Sequence, residues 1–403
     1  MNKIFSAAAL LIAFGASAHT ELTDSVATDS IQGFVFTDVI SLPTTSVKDQ
    51  NKSGTCWCFS GTSAIEEEVL RQGGDSLDLS EMYTVRQCYL DKAKRFVRLG
   101  GVGNFSQGGS IVDVAYVMER YGAIPESVYS GLNYGEDAHD HSELEKALTS
   151  YIKAVAGGRK MSTAWLKGFE GILDAYFGPV PETFEVNGKT YTPKTYAESL
   201  GVKFNDFVPF TSFTHQPMYS AFPLEVCDNW LWEDYYNVPL DDFKRIIDEA
   251  LKNGYTINWA ADVSEKGFKW NDGYAVLPEK KTEADMQGTE LSRWVALSDA
   301  DKEKEAYKFT GPKDLKEVTV TPEVRQQMFD NHETTDDHGM VIVGTATDQL
   351  GNRFYKVKNS WNTNQKYNGY FYVSEPYLLA KTLSFSVNKN AVPKDIRKKL
   401  NLI

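Results

Sequence analysis

A chain of 403 residues with 42% hydrophobic and 13% aromatic content can bury a large core, which excludes a disordered protein. A formal charge of −13 and a pI near 5.1 argue against a nucleic-acid partner, because phosphate binding depends on a basic surface. Four cysteines, Cys56, Cys58, Cys88 and Cys227, are too few for a disulfide scaffold of this length.

At the N-terminus Lys3 precedes an apolar run from Ile4 to Phe14, and Ala16-Ser17-Ala18 offers a small-x-small cleavage site. Residues 1 to 18 therefore read as an export signal, and the mature chain is expected to be periplasmic or secreted. The run is shorter than the ~20 residues a membrane span needs, and no later apolar run is long enough either.

A helix is predicted from Thr55, capped by Ser53 or Thr55, with Trp57, Gly61, Ala64 and Ile65 on one face. Cys56 falls in its first turn, and Glu66-Glu67-Glu68 is expected to face solvent. Ser80 caps a second helix, and a third follows Gly108-Gly109 and stops near Gly122. Residues 19–155 thus form an N-terminal arm and a helical half, and 156–240 are expected to be a helical insertion. Within 241–390 the helix of "VPLDDFKRIIDEALKNGY" leads into the strand "TINWAADV". The runs "GMVIVGTATD", "RFYKVKNSW" and "GYFYVSEP" then predict antiparallel strands, with a further insertion at about 265–335. Residues 391–403 form a C-terminal arm with Ile396, Leu400 and Ile403 at helical spacing. Its basic run, Lys394 to Lys399, reads as a solvated helix face.

The pair Cys56 and Cys58 is a weak metal signal, since no second Cys/His cluster has ligand spacing. Neither metal nor cofactor is expected. A thiol attacks as thiolate, favoured by a helix N-terminus or an imidazolium, and Cys56 has the helix. Of the six histidines, His19 lies near the start, His139 and His141 in a Gly/Asp-rich loop, and His215 and His332 in connections. His338 alone enters a predicted strand. Asn359 lies on the next strand and can orient an imidazole without competing for its proton. Gln50, just ahead of Cys56, can supply a side-chain N–H beside the Cys56 backbone N–H, making an oxyanion hole.

Gln50, Gly54-Thr55-Cys56-Trp57 and Phe59-Ser60 resemble the nucleophile segment of the papain-like cysteine peptidases. Asp337-His338-Gly339 resembles their general-base segment, and Asn359-Ser360-Trp361 their third. His338 and Asn359 lie well beyond the ~130–150 residues after the Cys described for papain, so a large insertion is implied. Ser53 in place of the first motif cysteine, the long insertion and the ending "YLLAKTLSFSVNKNAVPKDIRKKL" look most like the bleomycin hydrolase and aminopeptidase C branch. Asn362 stands where the family has Gly, in a turn whose left-handed conformation Asn tolerates.

The resemblance implies an α+β, two-domain papain-like fold, a helical half and an antiparallel β-barrel-like half with the active-site cleft between them. It implies a cysteine aminopeptidase with Cys56, His338, Asn359 and Gln50 as catalytic residues. Gln107, Gly108 and Gly109 would pair with substrate backbone. Trp361 would shield the His–Asn contact, and Asp337 would tune the ion pair. The C-terminal arm would lie in the cleft, with the Ile403 carboxylate on the substrate's α-ammonium, and a hexameric homo-oligomer is implied. Cys58 is expected in the core or beside Cys88 or Cys227. The alternatives are an endopeptidase or dipeptidyl peptidase with an open cleft, and an inactive peptide-binding protein on the same fold.

Overall fold

A computed structural model describes residues 33–402; the expected export segment, His19 and Ile403 lie outside them. The first half is built on helices α1 (Cys56–Arg71), α2 (Glu81–Arg98), α3 (Asp113–Tyr121), α4 (Ser142–Ala156) and α5 (Ala164–Phe177). Ser80 caps α2 by accepting from the Tyr83 N–H, and Gly122 ends α3 at φ 90°, which suits a residue without Cβ. Leu144, Leu148, Ile152 and Ala156 recur at helical spacing on α4 and share a core with Phe169, Leu173 and Phe177 of α5. Burial of each large side chain there contributes about 1.5–3 kcal/mol.

α1 lies between the two halves and is buried on nearly every side. Glu66, Glu67 and Glu68 are therefore not at the surface, being 1%, 2% and 5% exposed. Each carboxylate has partners that offset its desolvation. Glu66 accepts from Thr45 Oγ1 and Leu79 N, Glu67 from Ser63 Oγ and Lys358 Nζ, and Glu68 from Arg71, Gln72 and Asn388. Thr55 precedes α1 but makes no side-chain cap; its carbonyl takes the Cys58 N–H and its hydroxyl meets Ser53.

The second half is an 11-stranded mixed sheet. Its strands are β1 (Phe36–Ser41), β4 (Phe207–Thr211), β5 (Ser220–Pro223), β6 (Asp234–Asn237), β7 (Ile257–Ala261), β8 (Phe268–Lys269), β9 (Tyr274–Ala275), β10 (His338–Asp348), β11 (Arg353–Lys358), β12 (Tyr370–Ser374) and β13 (Thr382–Asn388). β2 (Phe184–Val186) and β3 (Lys189–Tyr191) pair separately. The order is β5-β6-β4-β13-β7-β10-β11-β12-β9-β8, with β1 also on β10. Most pairs are antiparallel, as expected; β4–β6 and β12–β9 are parallel. The stretch expected as a helical insertion is mixed. It carries α5 and α6 (Pro193–Ser199), but its aromatic-rich end forms β4, β5 and β6 and widens the sheet. The later insertion holds α8 (Gly288–Val295), α9 (Asp299–Glu305) and α10 (Pro322–Asp330).

β7 pairs with β10 so that His338 faces Ala261, Met340 faces Trp259 and Ile342 faces Ile257. Side chains alternate, so Ile257, Trp259, Met340 and Ile342 share one face with Phe243, Ile246 and Ile247 of α7 (Leu240–Lys252). The opposite face meets α1, and a Cβ on Gly339 would stand 3.0 Å from Trp57 Cα. That close approach brings His338 beside the start of α1.

The C-terminal segment is placed differently from the expectation. α11 (Glu375–Lys381) precedes β13, whose end reaches Glu68 through Asn388, roughly three turns along α1 from Cys56, or ~18 Å. From there α12 (Lys394–Lys399) packs Ile396 and Leu400 into the α7 face, with Asp395 on Arg245 and Lys399 on Tyr219. Its apolar residues find a ready hydrophobic surface there, so the segment up to Leu402 stays out of the cleft. Among the described residues no helix is long and apolar enough to cross a membrane.

Candidate active site

Cys56 is the first residue of α1, half-buried, where the helix N-terminus favours negative charge on sulfur. Burial pushes its thiol up to about 11; the N–H groups of Gly339 and Trp57 counter this, and the Asp336 and Asp228 carboxylates oppose ionisation again. His338 opens β10 and is 5% exposed. Burial pushes its imidazole down to about 4, countered by Asn359. Either charge alone is therefore disfavoured by burial.

Asn359 follows β11 and brings Oδ1 to 2.7 Å from His338 Nε2. The same Oδ1 accepts the Ser360 N–H at 2.8 Å, which fixes the amide orientation. An oxygen on Asn359 can only accept, so Nε2 carries the proton and Nδ1 is left as the base. Trp361 lies over the imidazole at 4.5 Å between centroids, the rings tilted by 31°, and is backed by Trp270 at 5.4 Å and Phe268 at 6.0 Å. Asn362 next to it has φ 62°, the left-handed turn expected of it.

Gln50 is buried, its backbone N–H on the Ser360 carbonyl and its Oε1 taking the Ser360 hydroxyl at 2.7 Å. One Nε2 hydrogen goes to the Ser53 carbonyl at 2.7 Å, which leaves the second available. Gln107 lies against the same loop: its Oε1 takes the Gly54 N–H at 2.7 Å and its carbonyl the Trp57 indole N–H at 2.9 Å. Gly109 leaves no room for a Cβ, which would stand 2.7 Å from Trp57.

Asp337 turns away from His338, toward Thr335 Oγ1, the Val263 N–H and Asp262. Desolvation first, then Asp262, raises its pKa. The four cysteines are free thiols; Cys58 and Cys88 are buried in the helical core and Cys227 is exposed. His139 and His141 pack against Phe59 and Phe177 rather than at the thiol. Two residues the sequence reading did not single out act on the Cys56 thiol: Asp228 and Asp336. Asp336 is two residues from His338 and could have been found by that proximity; Asp228 is distant in sequence.

A thiol at a helix start, an imidazole held by an amide under an indole, and a buried glutamine amide are the parts of a cysteine-type acyl-transfer site. Residues 38–196 match the papain family cysteine protease model, and residues 279–402 match the Peptidase C1-like family. The chain is a cysteine-type peptidase that resembles the papain family over both matched stretches. Within that class it resembles the aminopeptidase C branch along most of its length. Aminopeptidase C of Lactobacillus delbrueckii subsp. lactis is 23% identical, the alignment covering 96% of this chain and 90% of that protein. Aminopeptidase C of Streptococcus thermophilus is 22% identical over 89% of this chain and 83% of its own. The crystal structure of PepW from Lactobacillus rhamnosis superposes with a TM-score of 0.67 at 19% identity, covering 91% of this chain and 85% of the other.

Proposed function

We propose that the chain is a cysteine aminopeptidase, releasing residues one at a time from peptide N-termini. The observation that carries the mechanism is the His338–Asn359 contact, which leaves Nδ1 unprotonated on the residue next to Gly339, whose backbone N–H meets the Cys56 thiol. The Cys56 proton passes to His338, and the thiolate attacks the scissile carbonyl carbon. The Gln50 Nε2–H and the Cys56 backbone N–H receive the oxyanion. Collapse of the tetrahedral adduct breaks the C–N bond; His338 gives its proton to the leaving amine, and a thioester remains on Cys56. Water, deprotonated by His338, adds to the thioester and frees the amino acid and the thiol.

The exopeptidase reading is supported by the aminopeptidase C relatives, which share most of the chain. It is tested by comparing fluorogenic aminoacyl, dipeptidyl and N-terminally blocked substrates. Turnover only of free aminoacyl substrates is expected; equal turnover of blocked peptides would make this an endopeptidase, and no turnover of any with Cys56 intact a peptide-binding protein. Export is part of the proposal and rests on residues 1 to 18; an N-terminus at His19 in the secreted fraction is the expected result. A homo-oligomer is likewise proposed, from the branch resemblance alone, with size-exclusion mass as its test.

A further inference from the structure

Resting on the aminopeptidase reading, the question is what makes the cleft demand a free N-terminus when the C-terminal segment docks on the α7 face. Gly108 is fixed beside the nucleophile, since Gln107 holds the Gly54 N–H and the Trp57 indole, and Lys92 donates to the Gly108 carbonyl. Over Gly108 lies the carboxylate of Asp228: a Cβ at 108 would stand 2.1 Å from Oδ2 and 2.6 Å from Oδ1. No other residue at 108 admits a carboxylate so close. Asn104 Nδ2 anchors Oδ1 at 3.0 Å, and among the described residues Oδ2, the oxygen nearest Gly108, takes no hydrogen bond. The strip of backbone beside Cys56 is thus capped by a fixed acidic group.

Asp336 lies near it, on the segment leading into His338. Among the described residues no hydrogen-bond donor and no cation meets the Asp336 carboxylate; its electrostatic neighbours are Asp228 and Asp337. Both Asp228 and Asp336 act on the Cys56 thiol. Lys92, the cation near Asp228, has its ammonium on the carbonyls of Ser106 and Gly108. Two like charges held together in a partly desolvated wall are relieved by a cation that arrives with the substrate. The α-nitrogen of the residue whose carbonyl carbon lies on Cys56 is two bonds from that carbon, ~2.5 Å, so it must sit close to this wall.

We propose that Asp228 and Asp336 receive the substrate's α-ammonium and that Asp228 closes the acyl side of the cleft after one residue. Asp228 is then the specificity-determining group, acting both as a stop and as a counter-charge. A blocked or longer peptide meets a carboxylate where it needs space for an uncharged amide.

The test uses the full chain and its Asp228→Asn and Asp336→Asn variants. Leucyl, N-acetyl-leucyl and N-acetyl-lysyl fluorogenic amides are compared on each preparation. The free-to-blocked ratio of kcat/KM is independent of how much of a preparation is folded, and the rate of Cys56 alkylation reports an intact nucleophile. The proposal expects the ratio to fall about 30-fold or more in each variant, the scale of losing one partner of a desolvated charge pair. An unchanged ratio in both variants overturns it while leaving the aminopeptidase reading in place. Wild-type turnover of N-acetyl-lysyl amide as fast as leucyl amide also overturns it, because the carboxylates would then read a side chain. Equal wild-type turnover of N-acetyl-leucyl and leucyl amides overturns the aminopeptidase reading and this inference with it.

Discussion

Gly339→Ala probes the contact that sets His338 beside Cys56. The new methyl would stand 3.0 Å from Trp57 Cα, 3.2 Å from Trp57 N and 2.7 Å from Ser60 Oγ, against an ordinary contact limit of 3.4 Å. The Ser60 hydroxyl can rotate away, but the Trp57 backbone cannot, so β10 must retreat from α1 by about 0.4 Å. Overpacking of this kind costs about 1–3 kcal/mol. The same retreat lengthens the Gly339 N–H contact to the thiol and moves the imidazole. With ~100-fold lost per 1 Å of misplacement, kcat should fall about 5- to 10-fold. Thermal melting and steady-state kinetics on leucyl amide measure both effects. A variant that melts several degrees lower yet keeps wild-type kcat would refute the argument that this packing positions the base.

His338→Ala should lower kcat by about 10³-fold or more, whereas Asn359→Ala, which only orients the ring, should cost about 10- to 100-fold; equal small losses would contradict these roles. Leu400→Ala should destabilise the fold by about 2–4 kcal/mol through its packing on the α7 face, with the free-to-blocked ratio unchanged; an altered ratio would place the tail in the cleft. Asp336 has its pKa raised by burial from 3.8 to about 7, so the folded state holds that proton more tightly than the unfolded state. Its destabilising effect therefore grows as pH rises from about 4 to 7 and is complete above. Asp336→Asn should accordingly raise the melting temperature more at pH 8 than at pH 4.5, and a pH-independent gain would contradict the burial argument.

The elements that carry Cys56, His338 and Asn359 were legible because each is strongly patterned. Cys56 opens a helix, and His338 and Asn359 flank β-branched and aromatic strands. Ser80 as a cap and Gly122 as a stop were legible from local chemistry. Glu66 to Glu68 misled because a run of three carboxylates reads as surface. Their partners, Thr45, Lys358 and Asn388, come from remote segments that only the fold assembles. The cleft position expected for the tail came from the branch resemblance; Ile396 and Leu400 give the period of an apolar face, and the fold supplies the α7 surface it meets. Asp228 gave no local signal, since its significance arises from touching Gly108 across the fold.

The most direct measurement of the peptidase chemistry is a time course of iodoacetamide modification of the purified chain, with peptide mapping and leucyl amide turnover followed together. Turnover is predicted to fall in step with a single carboxamidomethyl group on Cys56, while the exposed Cys227 is modified at a rate unrelated to activity. Full turnover from chains modified at Cys56, or loss of activity that tracks Cys227, would contradict the assignment.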